Sequence, residues 1–393
     1  MMKALLKEFE IGMPKTLVGV NASSQIGALS RELGAKKAII VSDPGIIRAG
    51  LINVAKASLE KEGIACDIFD NCPQSAPLSS IKECVKLIQN TQCDVVIGIG
   101  GGSVMDLAKM AVSVAAHEGD ISILYDPKKI IKSGVPTIFA PTTSGTGSEV
   151  SWGAVFTDDT DENDKRKKAV KSDYLFAHTA VLDPLLTLNL PPAITADTGM
   201  DVLAHAIEGY TSVKANIVAD MFAEKAIRLV AENLRLAYAK GSQNIEARYN
   251  MMIAASLAIT VLRSSASYIV HSFSYPVGMM GHLGHGAACA LTLPYVMEFN
   301  LIGNPEKFAS VAELMGESVE GLTIMEKAAR SVGAVKKLMA DIRLPLRLPE
   351  VGIGEKDIPE MVDYVYKYHS YQIEANPREL SREDLENILK SAL

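Results

Sequence analysis

Asp94-Val95-Val96-Ile97-Gly98-Ile99-Gly100-Gly101-Gly102-Ser103 decides the fold. The apolar part does not alternate with polar residues, so it reads as a strand buried on both faces, the mark of a parallel sheet. The glycines pass directly into Val104–Ala116, which carries helical periodicity. Glycine lets backbone N–H groups approach a pyrophosphate, and a helix N-terminus attracts the same charge. The spacing is not G-x-G-x-x-G, because Ser103 stands at the last glycine position. Two readings therefore apply: a dinucleotide cradle, or a glycine-rich strand-to-helix turn without a ligand.

On either side the pattern repeats. Lys36–Asp43, Ala65–Asp70 and Pro136–Ala140 read as further strands, with helices over Leu51–Gly63 and Ser79–Asn90. Strands alternating with helices predict a doubly covered parallel sheet. Asp43, ending the first of these strands, has two readings: a carboxylate for an adenosine ribose that repels a 2′-phosphate, or a turn residue before Pro44. After the last strand, Pro141-Thr142-Thr143-Ser144-Gly145-Thr146-Gly147-Ser148-Glu149 forms a second loop rich in hydroxyls and glycine, placed where ligands sit on open sheets. Beyond Asp183-Pro184 and Pro191-Pro192 the periodicity turns helical: Asp197–Tyr210, Ala215–Lys240, Ile245–Leu262 and shorter pieces. A chain of 393 residues has room for two domains. The expected division is an α/β Rossmann-like dinucleotide-binding domain over 1–185 and an all-α metal-binding domain over 186–393.

The second half holds the metal signal. No Asp, Glu, Lys or Arg occurs between Arg263 and Glu298, yet three of the seven histidines, His271, His282 and His285, fall there. Pro276, Pro294 and several glycines interrupt this stretch, unlike a transmembrane helix, so it reads as a buried segment. Upstream, Asp201 and His205 are four apart on a predicted helix and share a face, with Glu208 beside them to hydrogen-bond a ligand. Buried imidazoles need partners, since an unsatisfied polar group costs about 1–3 kcal/mol. Asp201, His205, His271 and His285 make a one-carboxylate, three-histidine set that suits Fe(II) or Zn(II). His282 reads either as a pocket residue or as a turn residue.

Composition excludes other classes. Net charge is −7, and the one basic cluster, Lys165–Lys168, is ringed by acids, so a nucleic-acid stripe is absent. Five cysteines without a C-x-x-C, and no long apolar run within Met1–Glu10, predict a cytoplasmic protein and no membrane segment.

At these residues the chain resembles the iron-containing (group III) alcohol dehydrogenase family over nearly its whole length. The motifs are Gly100-Gly101-Gly102-Ser103 with Asp106 and Lys109, the Pro141–Val150 loop, Leu182-Asp183-Pro184, and Thr198-Gly199-Met200-Asp201 through Glu208. His271 with Pro276, His282-Leu283-Gly284-His285-Gly286 and Asn376-Pro377-Arg378 complete them. The resemblance implies a nucleotide-binding α/β domain followed by a helical metal domain (a dehydroquinate synthase-like superfold), and it matches Asp201, His205, His271 and His285 to metal ligands. It matches Asp43, Gly101, Gly102, Ser103, Thr142, Thr143 and Lys168 to NAD(P) contacts, and draws in Gly100 and Asp106 with them. It implies reversible interconversion of a small primary alcohol and its aldehyde, NAD in preference to NADP, Fe(II) with Zn(II) possible in its place, and a homodimer or larger homo-oligomer. Alternatives are a glycerol dehydrogenase-like or sugar-phosphate cyclase-like enzyme, or a non-catalytic homologue. Tyr275 stands where the family commonly has a second histidine; a phenol, with a reference pKa near about 10, is a poorer proton acceptor. Either Tyr275 donates to the reacting oxygen, or protons leave by another route such as His282. Gly284 stands where proline is frequent.

Overall fold

The computed structural model describes residues 8–161 and 166–393; Lys165 of the basic cluster and Met1–Lys7 lie outside the described residues. Two compact units result: one of Gly12–Thr143 with Gly147–Leu188, the other built mainly of Asn189–Leu393 and including Ser144–Thr146.

The first unit is a parallel sheet of β1 (Lys15–Val18), β2 (Lys37–Val41), β3 (Ala65–Phe69), β4 (Val95–Gly100), β5 (Thr137–Pro141) and β8 (Thr179–Leu182), in the order β1-β8-β5-β4-β2-β3. Successive residues feed opposite layers: Val95, Ile97 and Ile99 pack into one core, and Val96 into the other. Alternation between two dry layers explains why β4 shows no polar face. Sequence order leaves β2 in one direction toward β3 and in the other toward β4, β5 and β8. The reversal lies between β2 and β4, the place where open α/β sheets take ligands. Gly100 pairs with Pro141, so the two glycine- and hydroxyl-bearing loops leave neighbouring strands at one level.

Four strands escape the sequence reading. β1 is a short edge strand with little burial, and β8 is four residues cut off by Asp183-Pro184. β6 (Gly153–Asp158) and β7 (Arg166–Lys171) pair antiparallel; β7 is mostly basic and buries only Val170, so its pattern resembles a surface loop.

The second unit is helical around one core. Its first long helix spans Pro192–Thr211 and not Asp197–Tyr210: Pro192 opens it at a position where the missing N–H costs nothing. The charge-free stretch forms the helices Ile269–Met280 and His285–Asn300, each containing its proline. Among the described residues one helix, Ile245–Ser264, has the length and hydropathy to cross a membrane, and 56% of that stretch is buried within the protein.

Candidate active site

In the sheet unit, Gly101 is the N-cap of the Gly102–Ala116 helix and offers no capping side chain. The Val104 N–H bonds the Gly101 carbonyl at 3.1 Å, which leaves those of Gly102 and Ser103 to face an outside acceptor at the positive end of the dipole. A Cβ on Gly100 would lie 2.5 Å from a Val104 methyl, so only glycine lets strand and helix meet this tightly. The Thr142 N–H donates to the Gly100 carbonyl at 2.9 Å, tying the second loop to the first. A Cβ on Gly101 would sit 3.6 Å from the Thr143 methyl, an ordinary contact.

Asp43 follows β2, and its Oδ1 accepts from the N–H groups of Gly45 and Ile46 at 2.8 and 3.0 Å. It therefore caps the Pro44–Arg48 helix, as the turn reading has it, while its charge remains at the switch point. Ser103 Oγ accepts from the Ser75 N–H at 3.0 Å. Asp106 has both oxygens engaged by protein: Ser148 Oγ donates to one at 2.6 Å and the Val155 N–H to the other at 2.9 Å. Lys109 Nζ reaches Ser148 Oγ and the carbonyls of Ser151 and Gly153. Burial pushes its ammonium down to about 8, against the pull of Asp106 and Glu149. This buried knot fixes the loop after β5. Lys168 sits on β7 with Nζ 2.8 Å from Asp158 Oδ2 and over the Tyr125 ring.

In the helical unit the predicted metal residues converge. The Pro192–Thr211 helix presents Asp201, His205 and Glu208, Ile269–Met280 presents His271, and His285 opens its own helix. The Nε2 atoms of His205, His271 and His285 lie 3.8, 3.8 and 3.6 Å from one atom, Asp201 Oδ1. A direct hydrogen bond would bring nitrogen and oxygen to about 2.9 Å. Ligands about 2.1 Å from a tetrahedral ion are instead roughly 3.4 Å apart, close to the spacing found. Asp201 Oδ1 and His205 Nδ1 are buried without a hydrogen-bond partner among the described residues. Burial, with His271 stacked at a 4.5 Å centroid distance, drives the His205 imidazole well below its usual range and keeps it neutral.

The other ring nitrogens are held in place. His271 Nδ1 pairs with Glu208 Oε2, whose other oxygen accepts from the Val270 N–H at 2.8 Å. A carboxylate only accepts, so Nδ1 carries the proton and the Nε2 lone pair faces Asp201. Ser274 Oγ donates to the His271 carbonyl at 2.7 Å and thereby accepts from His285 Nδ1 at 3.3 Å, with the same result. Glu208→Gln offers an amide NH₂ in place of an acceptor and favours the tautomer with hydrogen on Nε2. Metal affinity should fall roughly 10- to 100-fold, by competitive chelator titration; unchanged affinity would refute the tautomer argument.

Three residues escaped the sequence reading. Cys289, one turn beyond His285, is fully buried, and its sulfur belongs with Asp201, His271 and His285 to a group whose donor atoms all lie within 4.8 Å of one another. The i, i+4 spacing from His285 was its visible signal. Asp197 caps the His285 helix, its Oδ1 accepting from the Ala287 N–H at 2.6 Å. His369 stacks on Tyr275 at 4.2 Å, and burial pushes its imidazole down to about 4. Neither of these has a local sequence signal. Tyr275 lies 6.2 Å from His285 between centroids, and burial raises its phenol, so it remains protonated. His282 is exposed in the turn between the two helices, at φ 51°.

Residues 14–184 match the family described as iron-containing alcohol dehydrogenase, and residues 195–393 match the Fe-containing alcohol dehydrogenase family, C-terminal. The chain is 36% identical over 376 residues to a 1,3-propanediol dehydrogenase of Klebsiella pneumoniae, covering 95% of this chain and 96% of the relative. It is 34% identical to an NAD-dependent methanol dehydrogenase of Bacillus methanolicus, covering 97% and 98% of the two chains. A crystal structure of a 1,3-propanediol oxidoreductase superposes with a TM-score of 0.92 at 35% identity, covering 98% of this chain and all of the other.

Proposed function

This chain belongs to the iron-containing alcohol dehydrogenase family, and on that footing we propose that it uses NAD and a divalent metal to interconvert a small primary alcohol and its aldehyde in the cytoplasm. It is an oxidoreductase of alcohols and aldehydes, and it binds nicotinamide dinucleotide and metal. The observation that carries the metal reading is the approach of three imidazole nitrogens to the single oxygen Asp201 Oδ1. Asp201, His205, His271 and His285 would hold Fe(II), with Zn(II) able to replace it, since carboxylate and imidazole suit both. When bound, the ion supplies Lewis acidity toward an alcohol or carbonyl oxygen, and the nicotinamide supplies the hydride acceptor or donor.

The chain's own residues do the rest. Residues 1–185 would carry the nucleotide and 186–393 the metal. Gly100, Gly101, Gly102 and Ser103 present backbone N–H groups to the pyrophosphate, with Thr142 and Thr143 on the adjoining loop. Asp106 serves this reading by anchoring that loop through Ser148, and Lys168 by way of its ion pair to Asp158. Tyr275, held as a phenol, donates a hydrogen bond and does not act as a base at neutral pH; exposed His282 stays available to pass a proton to solvent. The relatives named for 1,3-propanediol and methanol support a small alcohol or aldehyde as substrate, and homo-oligomerisation goes with the same family reading.

Asp43 supports NAD over NADP, because its carboxylate repels a 2′-phosphate. Asp43→Ala should raise the NADP-to-NAD ratio of kcat/KM at least tenfold, while loss of the cap costs about 1 kcal/mol. An unchanged ratio would remove Asp43 from cofactor selection. The reading as a whole is tested by anaerobic reconstitution with Fe(II) or Zn(II), followed by NADH oxidation across a panel of short aldehydes. Failure of every metal and aldehyde to give turnover would overturn it.

A further inference from the structure

Cys289 is the one cysteine in the helical unit, and nothing in redox or disulfide chemistry accounts for it: all five cysteines are free. Its sulfur lies 3.9 Å from His285 Nε2, the same nitrogen that faces Asp201 Oδ1 at 3.6 Å. Bond lengths of about 2.3 Å to sulfur and 2.05 Å to nitrogen place tetrahedral S and N ligands roughly 3.6 Å apart. The cysteine sulfur thus stands at ligand spacing from His285. Asp201 Oδ1, 3% exposed as a side chain and without a hydrogen-bond donor among the described residues, points into the same volume. A cysteine that merely filled space would not need its sulfur on the imidazole atom turned toward that oxygen.

We propose that Cys289 is a sulfur donor to the metal, so that Asp201, His271 and His285 form a common platform completed by His205 on one side and Cys289 on the other. The proposal rests on the metal reading above and adds donor character to it. Coordination breaks the S–H bond and forms a sulfur–metal bond; the proton leaves to solvent and no electron is transferred. Thiolate is a soft ligand, and its presence biases a carboxylate–imidazole site from Fe(II) toward Zn(II) and Co(II). The substrate class is unchanged, but the ion that a cell's supply loads is not.

Cobalt reports sulfur ligation directly. The purified full-length apoprotein, loaded anaerobically with Co(II), is expected to show visible d–d bands together with a near-ultraviolet thiolate-to-cobalt charge-transfer band. In Cys289→Ser the d–d bands should persist and the charge-transfer band should vanish. In competition between Fe(II) and Zn(II), the same variant should lose at least about tenfold of its zinc preference. Wild-type protein with d–d bands but no charge-transfer band would overturn the sulfur ligand and leave the metal site standing, without depending on any variant's folding. A charge-transfer band that survives in Cys289→Ser and Cys289→Ala would assign the sulfur elsewhere and equally overturn it. Absence of all cobalt bands would bring down the metal reading and this proposal together.

Discussion

Asp201→Asn is expected to remove stoichiometric metal and to lower kcat/KM by more than 100-fold, with the apoprotein melting no lower than wild type. The size of the effect follows from position. One carboxylate oxygen faces the Nε2 atoms of three imidazoles at 3.6–3.8 Å. Loss of an outer hydrogen-bond partner of a ligand typically costs 10- to 100-fold in affinity, and a directly facing anion costs more. Stability is spared because Oδ1 accepts no hydrogen bond that asparagine would forfeit, and the amide is nearly isosteric. Metal content by elemental analysis, beside a thermal melt of the stripped protein, separates the two effects. A variant that keeps one equivalent of metal would sink the assignment.

Gly286→Ala is the second large effect, and it acts through packing. A methyl at 286 would collide with the Asp197 carbonyl and come within 3.0 Å of Asp201 Cβ, and neither is the far end of a flexible side chain. Gly284 is less constrained: its missing Cβ would meet the Asp197 carboxylate at 2.5 Å, the far end of a side chain that can move. Overpacking of this kind costs about 1–3 kcal/mol, which in a unit of this size lowers Tm by roughly 3–10 °C. Relief of the clash has to move the Asp201 helix or the start of the His285 helix, so metal binding should be lost with the stability. Gly333 is the control: it is exposed within the Ile324–Asp341 helix, and nothing lies within 4 Å of its missing Cβ. Gly333→Ala should gain about 0.5–1 kcal/mol from helix propensity. If both substitutions shift Tm alike, the close approach of the two helices is not what limits position 286.

What the sequence made legible was what local geometry carries. A continuous apolar run into glycines reports a buried strand and a helix start, and the i, i+4 spacing of Asp201 and His205 reports one helical face. The missing charges between Arg263 and Glu298 mark the burial that His271 and His285 share with Asp201. Cys289 bears the same spacing to His285, yet cysteine arithmetic weighs disulfides and C-x-x-C pairs and passes over a thiol one turn from an imidazole. His369 and Asp197 reach their partners only through tertiary packing, which no spacing encodes. Asp106 shows the opposite limit. The motif that contains it is recognisable, but only the fold reveals both of its oxygens turned inward to Ser148 and Val155. Gly284, a departure from the common proline, acquires its reason in the same way, from the Asp197 carboxylate that occupies the space of a side chain.

The bare backbone on either side of His285 also limits how this lineage can change. Position 286 is closed to drift, because any side chain there meets the backbone of the neighbouring helix, whereas at 284 a side chain meets only the Asp197 carboxylate, which can swing aside. Descendants that adapt to a different metal supply have to do so at a distance of one helical turn, where residue 289 can exchange sulfur for oxygen or carbon without moving a helix. Divergence within the family should therefore be recorded at that position and be nearly silent at position 286.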